Sequence, residues 1–146
     1  MEAPMKTEVL VTGTFNLLHA GHIRLLEFAS RYGLVTVGIN SDSYLLEKYG
    51  DKTVPLVDRS FVLRSNRFVH NVVVFNERHP GKLILKLKPD FYIKGPDYKN
   101  TTLPEDTAIS QTGCKLIVQP AEKEYNSSEL ITIADKSIFK KVSKLY

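Results

Sequence analysis

Apolar residues along this chain come in short solid blocks, not in alternation. Val9-Leu10-Val11 is one; residues 34–40 (LVTVGIN), 71–75 (NVVVF), 91–94 (FYIK) and 115–118 (KLIV) are the others. Blocks of this length, rich in β-branched residues and bounded by turn formers, read as strands buried on both faces. Between them the spacing changes to that of a helix, first at Ile23, Leu25, Leu26, Phe28 and Ala29, with Gly33 as the expected C-cap. Ser41-Asp42-Ser43 opens a short helix over residues 44–48. A further helix is expected over residues 59–68 with Asp58 as N-cap, another over 82–88, and one from Pro104 to about Thr112, where proline suits the first turn. The last is expected from Asn126-Ser127-Ser128-Glu129, which carries an N-cap and a glutamate in capping-box position. Residues 49–57 and 95–103 read as loops, and 76–81 as a turn. Strands alternating with helices predict an α/β protein with a doubly wound, five-stranded parallel sheet.

In such a sheet the ligand lies beyond the carboxyl ends of the strands. Residues 12–22, 40–42, 94–98 and 119–128 fall there. The first stretch says most. Thr12-Gly13-Thr14 joins a buried strand to a helix whose first turn carries His19 and His22. Three residues apart, they share one helix face. The turn also aims free backbone N–H groups and the positive end of the helix dipole at one spot, a natural anion site. Two histidines at this spacing can hold a transition metal, but no cysteine or carboxylate stands nearby to complete the set. No protein metal ligand is therefore expected.

The chain of 146 residues is expected to form a single domain, with its core over about residues 8–136 and a basic helical tail over 137–146. One cysteine, Cys114, excludes an internal disulfide and fits a reducing compartment, so a cytoplasmic setting is expected. No run is long enough for a signal core or a membrane span. A net charge of +4 suits phosphate-bearing small molecules. The tail lysines 136, 140, 141 and 144 read as a solvated helix face in preference to a nucleic-acid surface.

Gly13-Thr14-Phe15-Asn16-Leu17-Leu18-His19-Ala20-Gly21-His22 resembles the GTFDxxHxGH signature of the cytidylyltransferase-like nucleotidyltransferases. Residues 37–42 (VGINSD) resemble that family's second-strand segment, and residues 59–69 (RSFVLRSNRFV) its arginine-bearing helix. Residues 89–99 (PDFYIKGPDYK) are similar to a segment of ADP-heptose synthase nucleotidyltransferase domains, and residues 126–131 (NSSELI) to the STTxII element. The compact length resembles that of glycerol-3-phosphate cytidylyltransferases.

The resemblance implies a Rossmann-like fold and transfer of CMP or AMP from CTP or ATP to a sugar or polyol phosphate, releasing pyrophosphate. It implies Mg²⁺ with the nucleotide and a homodimer. His19 and His22 are then expected to meet the triphosphate in the transition state, Arg59 to grip its β and γ phosphates, and Lys48 or Lys52 to reach a phosphate. Thr12, Gly13, Thr14, Phe15, Gly21, Asp42, Lys94, Gly95, Asp97, Tyr98, Tyr125, Ser127 and Ser128 complete the expected nucleotide site.

Three departures stand out. Asn16 replaces the usual aspartate, which favours a non-catalytic nucleotide-binding module as the alternative. Pro96 replaces a small residue. The glycine expected before Ser127 is missing.

Overall fold

The computed structural model describes residues 6–98 and 101–120. Five strands form one parallel sheet: β1 (Glu8–Gly13), β2 (Leu34–Asn40), β3 (Asn71–Phe75), β4 (Phe91–Lys94) and β5 (Lys115–Val118). Their spatial order is β3-β2-β1-β4-β5. The chain therefore winds outward from β1 to one edge, returns, and winds to the other. The reversal sits between β1 and β4, which pair in parallel from Val9–Phe91 to Val11–Ile93.

Helices cover both faces, as the solid apolar blocks require. Val9, Val11, Val35, Val37, Ile39 and Ile93 point to one face and pack with Leu26 and Ala29 of α1 (Ala20–Ser30) and Leu63 of α3 (Leu56–Arg64). Leu10 and Tyr92 point to the other. There they meet Leu83 and Ile84 of α4 (Gly81–Leu87) and Ala108 of α5 (Asp106–Thr112). Each fully buried aliphatic side chain contributes about 1.5–3 kcal/mol. A short helix α2 (Asp42–Tyr49) and a 3-10 turn (Gly50–Lys52) follow β2. Among the described residues no helix is long and apolar enough to cross a membrane.

Strand positions agree with the sequence reading; helix ends differ. Pro55, with ψ of 146°, is the N-cap of α3, which starts at Leu56, two residues before Asp58, so Asp58 lies in the first turn and is not the cap. The helix stops at Arg64, short of Phe68. α5 begins at Asp106 and not at Pro104. Arg31 caps α1. Gly33 serves a different need: a Cβ there would stand 2.4 Å from the Thr7 carbonyl oxygen, which accepts the Leu34 N–H. The helix expected from Asn126 lies outside the described residues.

Candidate active site

The first β–α turn is tight and strained. Phe15 adopts a φ of +46°, a conformation that costs an L-residue energy and concentrates at functional sites. Its ring folds back over Gly13, where a Cβ would stand 3.1 Å from the ring edge. The turn delivers His19 as the N-cap of α1.

The two imidazoles cap the helix reciprocally. His19 Nδ1 accepts the His22 N–H at 3.4 Å, and His22 Nδ1 accepts the His19 N–H at 3.2 Å. This is a capping box made from histidines, a variant of the usual serine–glutamate pair. The rings stack with centroids 3.8 Å apart, and Phe15 braces His22 at 5.0 Å. Because each Nδ1 is an acceptor, this network assigns the proton of each neutral ring to Nε2.

Both histidines line a hollow of about 580 Å³ at the carboxyl edge of the sheet, the size of a small-molecule site. Thr12, Gly13, Thr14, Phe15 and Gly21 line it with them. Lys94, Gly95, Asp97 and Tyr98 form the wall on the β4 side, and Lys48 lies on the α2 side. Lys94 Nζ sits 4.0 Å from the Tyr98 ring centroid, close enough for a cation–π contact. Burial pulls its pKa below the usual lysine value, and the Glu105 charge opposes that shift. Twelve of the expected site residues thus converge on one hollow.

Arg59, expected to grip phosphate, is not among the lining residues, and its donors are engaged within the protein. Its guanidinium is wholly buried, and the residue is 2% exposed. Nε donates to Val54 O at 2.8 Å, Nη1 to Thr14 O and Asn40 O at 3.0 and 2.9 Å, and Nη2 to Asp42 Oδ1 at 2.9 Å. Four contacts of this kind make it a strut tying the ends of β1 and β2 to the loop before α3. Asp42 is its partner and also accepts the Leu56 N–H; it too lies outside the hollow's lining.

Lys52 is likewise not among the lining residues; its carbonyl accepts the Asn16 side-chain N–H at 3.0 Å. Tyr125, Ser127 and Ser128 lie outside the described residues.

Asn16 itself is 2% exposed. Its Nδ2 donates to Lys52 O, and its Oδ1 accepts the Val54 N–H at 2.8 Å. An amide satisfies both groups; a carboxylate only accepts. Asn16→Asp is expected to cost about 1–3 kcal/mol at neutral pH, the range for a buried polar group facing an acceptor. The buried carboxyl would hold its proton above the ordinary aspartate pKa and could donate it to Lys52 O. Stability is then retained in acid and lost as pH rises past about 4 and through that raised value. Denaturant melts at several pH values measure this.

Tyr44, Tyr49, Arg24, Arg78 and Pro80 also line the hollow and were not expected from sequence. Arg78 and Pro80 follow β3, and the carboxyl-edge rule applied to that strand would have found them.

The hollow at the topological switch thus joins a histidine-capped helix start to four cationic side chains, Arg24, Lys48, Arg78 and Lys94, in an α/β protein. The sequence profile of the cytidylyltransferase-like family matches residues 10–143. The chain belongs to that family and is a nucleotidyltransferase.

The bifunctional protein HldE of Streptomyces coelicolor is 39% identical over 131 residues, which cover 88% of this chain and 28% of that protein. HldE of Helicobacter pylori strain P12 is 39% identical over 127 residues, covering 84% and 26%. The chain thus spans about a quarter of the length of these relatives. Among solved structures, a lipopolysaccharide core biosynthesis protein from Thermoplasma volcanium superposes with a TM-score of 0.67 at 20% identity, over 82% of this chain and all of that one. Pantothenate synthetase from Thermus thermophilus gives 0.55 at 15% identity, over 82% and 57%. These two likenesses are of fold.

Proposed function

We propose that the chain transfers CMP or AMP from a nucleoside triphosphate to a sugar or polyol phosphate, releasing pyrophosphate. The carrying observation is the reciprocally capped histidine pair, His19 and His22, lining the hollow at the N-terminus of α1. Both reactants are anions, and charge grows on the transferring oxygens. Rigid N–H donors held in place beforehand stabilise that charge without reorganising. The stacked rings, each locked at Nδ1, are such donors at Nε2.

The two walls divide the work. Lys94, Gly95 and Tyr98 receive the nucleoside, and Tyr44, Lys48, Tyr49 and Arg78 receive the phosphorylated acceptor. The described lining holds one carboxylate, Asp97, against four cationic side chains. That set suits Mg²⁺ carried in on the phosphates with its waters, and not one held in a cage of protein oxygens. When bound, the ion neutralises phosphate charge. Assembly as a cytoplasmic homodimer belongs to the same proposal.

The alternative of a non-catalytic module leaned on Asn16. That side chain is engaged in holding the loop at Lys52 and Val54, so it does not favour loss of catalysis.

The test is a thermal-shift screen of ATP, CTP, GTP and UTP with Mg²⁺, followed by pyrophosphate release with a panel of sugar and polyol phosphates. Either CTP or ATP is expected to raise Tm by linkage and to turn over with a matching acceptor. Binding without pyrophosphate from any acceptor would establish the module; no binding at all would end both readings.

A further inference from the structure

The β4 side of the hollow rests on a carboxylate that the reading above leaves without a task. Glu105 stands in the turn before α5 and is 2% exposed. Its Oε1 accepts the Tyr92 phenol proton at 2.6 Å and lies 3.8 Å from Lys94 Nζ. The Tyr92 oxygen is in turn 2.9 Å from Thr12 Oγ1. Burial, reinforced by Glu105, holds the Tyr92 phenol far above its ordinary pKa, so it stays protonated. With its one proton directed at Glu105, Tyr92 takes the proton of Thr12, and the Thr12 hydroxyl is left with lone pairs to offer. Thr12 and Lys94 each lie one residue beyond the Val11–Ile93 pair, side by side at the strand ends, and both line the hollow.

We propose that Glu105 is a positioning residue for the nucleotide: it holds the Lys94 ammonium in the wall and fixes the Thr12 hydroxyl as an acceptor. The wall then presents a donor cation beside an acceptor oxygen, which matches a ligand edge carrying an acceptor next to a donor, as a nucleobase does. The functional side of this proposal rests on the nucleotide reading above. Without Glu105, Lys94 faces burial alone, because the Glu105 charge is what opposes the downward shift. The titratable groups around Lys94 among the described residues are Glu105, Tyr92 on its own strand, Asp97 and Tyr98 in the following turn, and His19 and His22 elsewhere in the lining.

Two measurements on the full chain test it. In the first, side-chain NMR follows the titration of Lys94 without ligand. Glu105→Gln keeps an oxygen for Tyr92 but removes the charge, and is expected to lower the Lys94 midpoint by about one unit or more. If the amide unfolds the chain, Glu105→Asp draws the carboxylate back and is expected to shift the midpoint the same way. An unchanged midpoint in a folded variant overturns the proposal, and a fall in Tm alone would mark Glu105 as scaffold.

In the second, nucleotide affinity is measured against pH. Glu105→Gln is expected to bind about tenfold more weakly and to lose affinity at lower pH than the parent. In a Lys94→Met background the substitution is expected to add nothing to that pH dependence; an undiminished shift there would overturn the coupling. A parent chain that binds no nucleotide would sink the transferase reading, while the ligand-free titration still decides the role of Glu105.

Discussion

His19→Ala is expected to lower kcat by about 10²–10³-fold, the cost of losing one preorganised donor at a developing negative charge. KM for the nucleotide should change little, because an interaction made mainly in the transition state shows in kcat. The substitution also removes a helix cap, worth about 1 kcal/mol. His19→Asn separates the two effects. Asparagine is a good N-cap and can accept the His22 N–H that His19 now holds, so Tm should recover while kcat stays low. Pyrophosphate release and a thermal melt on both variants give the answer. Recovery of kcat along with Tm would reduce His19 to a capping residue. His22→Ala should behave alike, and the double variant should lose less than the product of the single losses, since each ring holds the other.

The second large effect is on stability. Arg59→Leu removes the donors to three backbone carbonyls and breaks the ion pair with Asp42, which keeps the Leu56 N–H. The Asp42 side chain is 46% exposed, so water takes over much of the ion-pair share. The Asn40 carbonyl, held in a buried bond, has no such relief, and those of Val54 and Thr14, in partly buried bonds, have only some. Summed, the loss is expected at about 3–5 kcal/mol, which lowers Tm on the order of 10 °C or more in a chain of this size. Arg59→Lys should rescue little, because one ammonium cannot span four acceptors in a fork. A folded Arg59→Lys variant with parental Tm and a raised nucleotide KM would restore the phosphate-gripping role and refute the strut.

Arg59 also shows where reading the sequence stops working. The five strands were legible because a parallel sheet covered on both faces needs unbroken apolar blocks, and Leu34–Asn40, Asn71–Phe75, Phe91–Lys94 and Lys115–Val118 lie where those blocks lie. The first turn was legible because glycine, a capping position and two histidines at helical spacing occur together. An arginine in a helix reads as solvated. Here Leu56, Arg59 and Leu63 fall three and four residues apart, on the stripe that faces the core. The apolar flanks were visible, but no local pattern reveals that carbonyls from three separate segments, those of Thr14, Asn40 and Val54, wait beneath the stripe. Asn16 and Glu105 are the same case, because their partners lie at Lys52, Val54, Tyr92 and Lys94. Helix starts were misread where Pro55 and Glu105 initiate without a side-chain cap.

The strand order carries one further consequence. With β1 in the middle, the described lining of one flank of the hollow comes from the chain between residues 34 and 80, and that of the other from residues 91 to 119. Two uninterrupted stretches of gene therefore encode the two flanks. On the proposed division of the walls, donor and acceptor preference would drift separately over evolutionary time, each by exchange of a single cassette, while the histidine-bearing turn between them stays untouched.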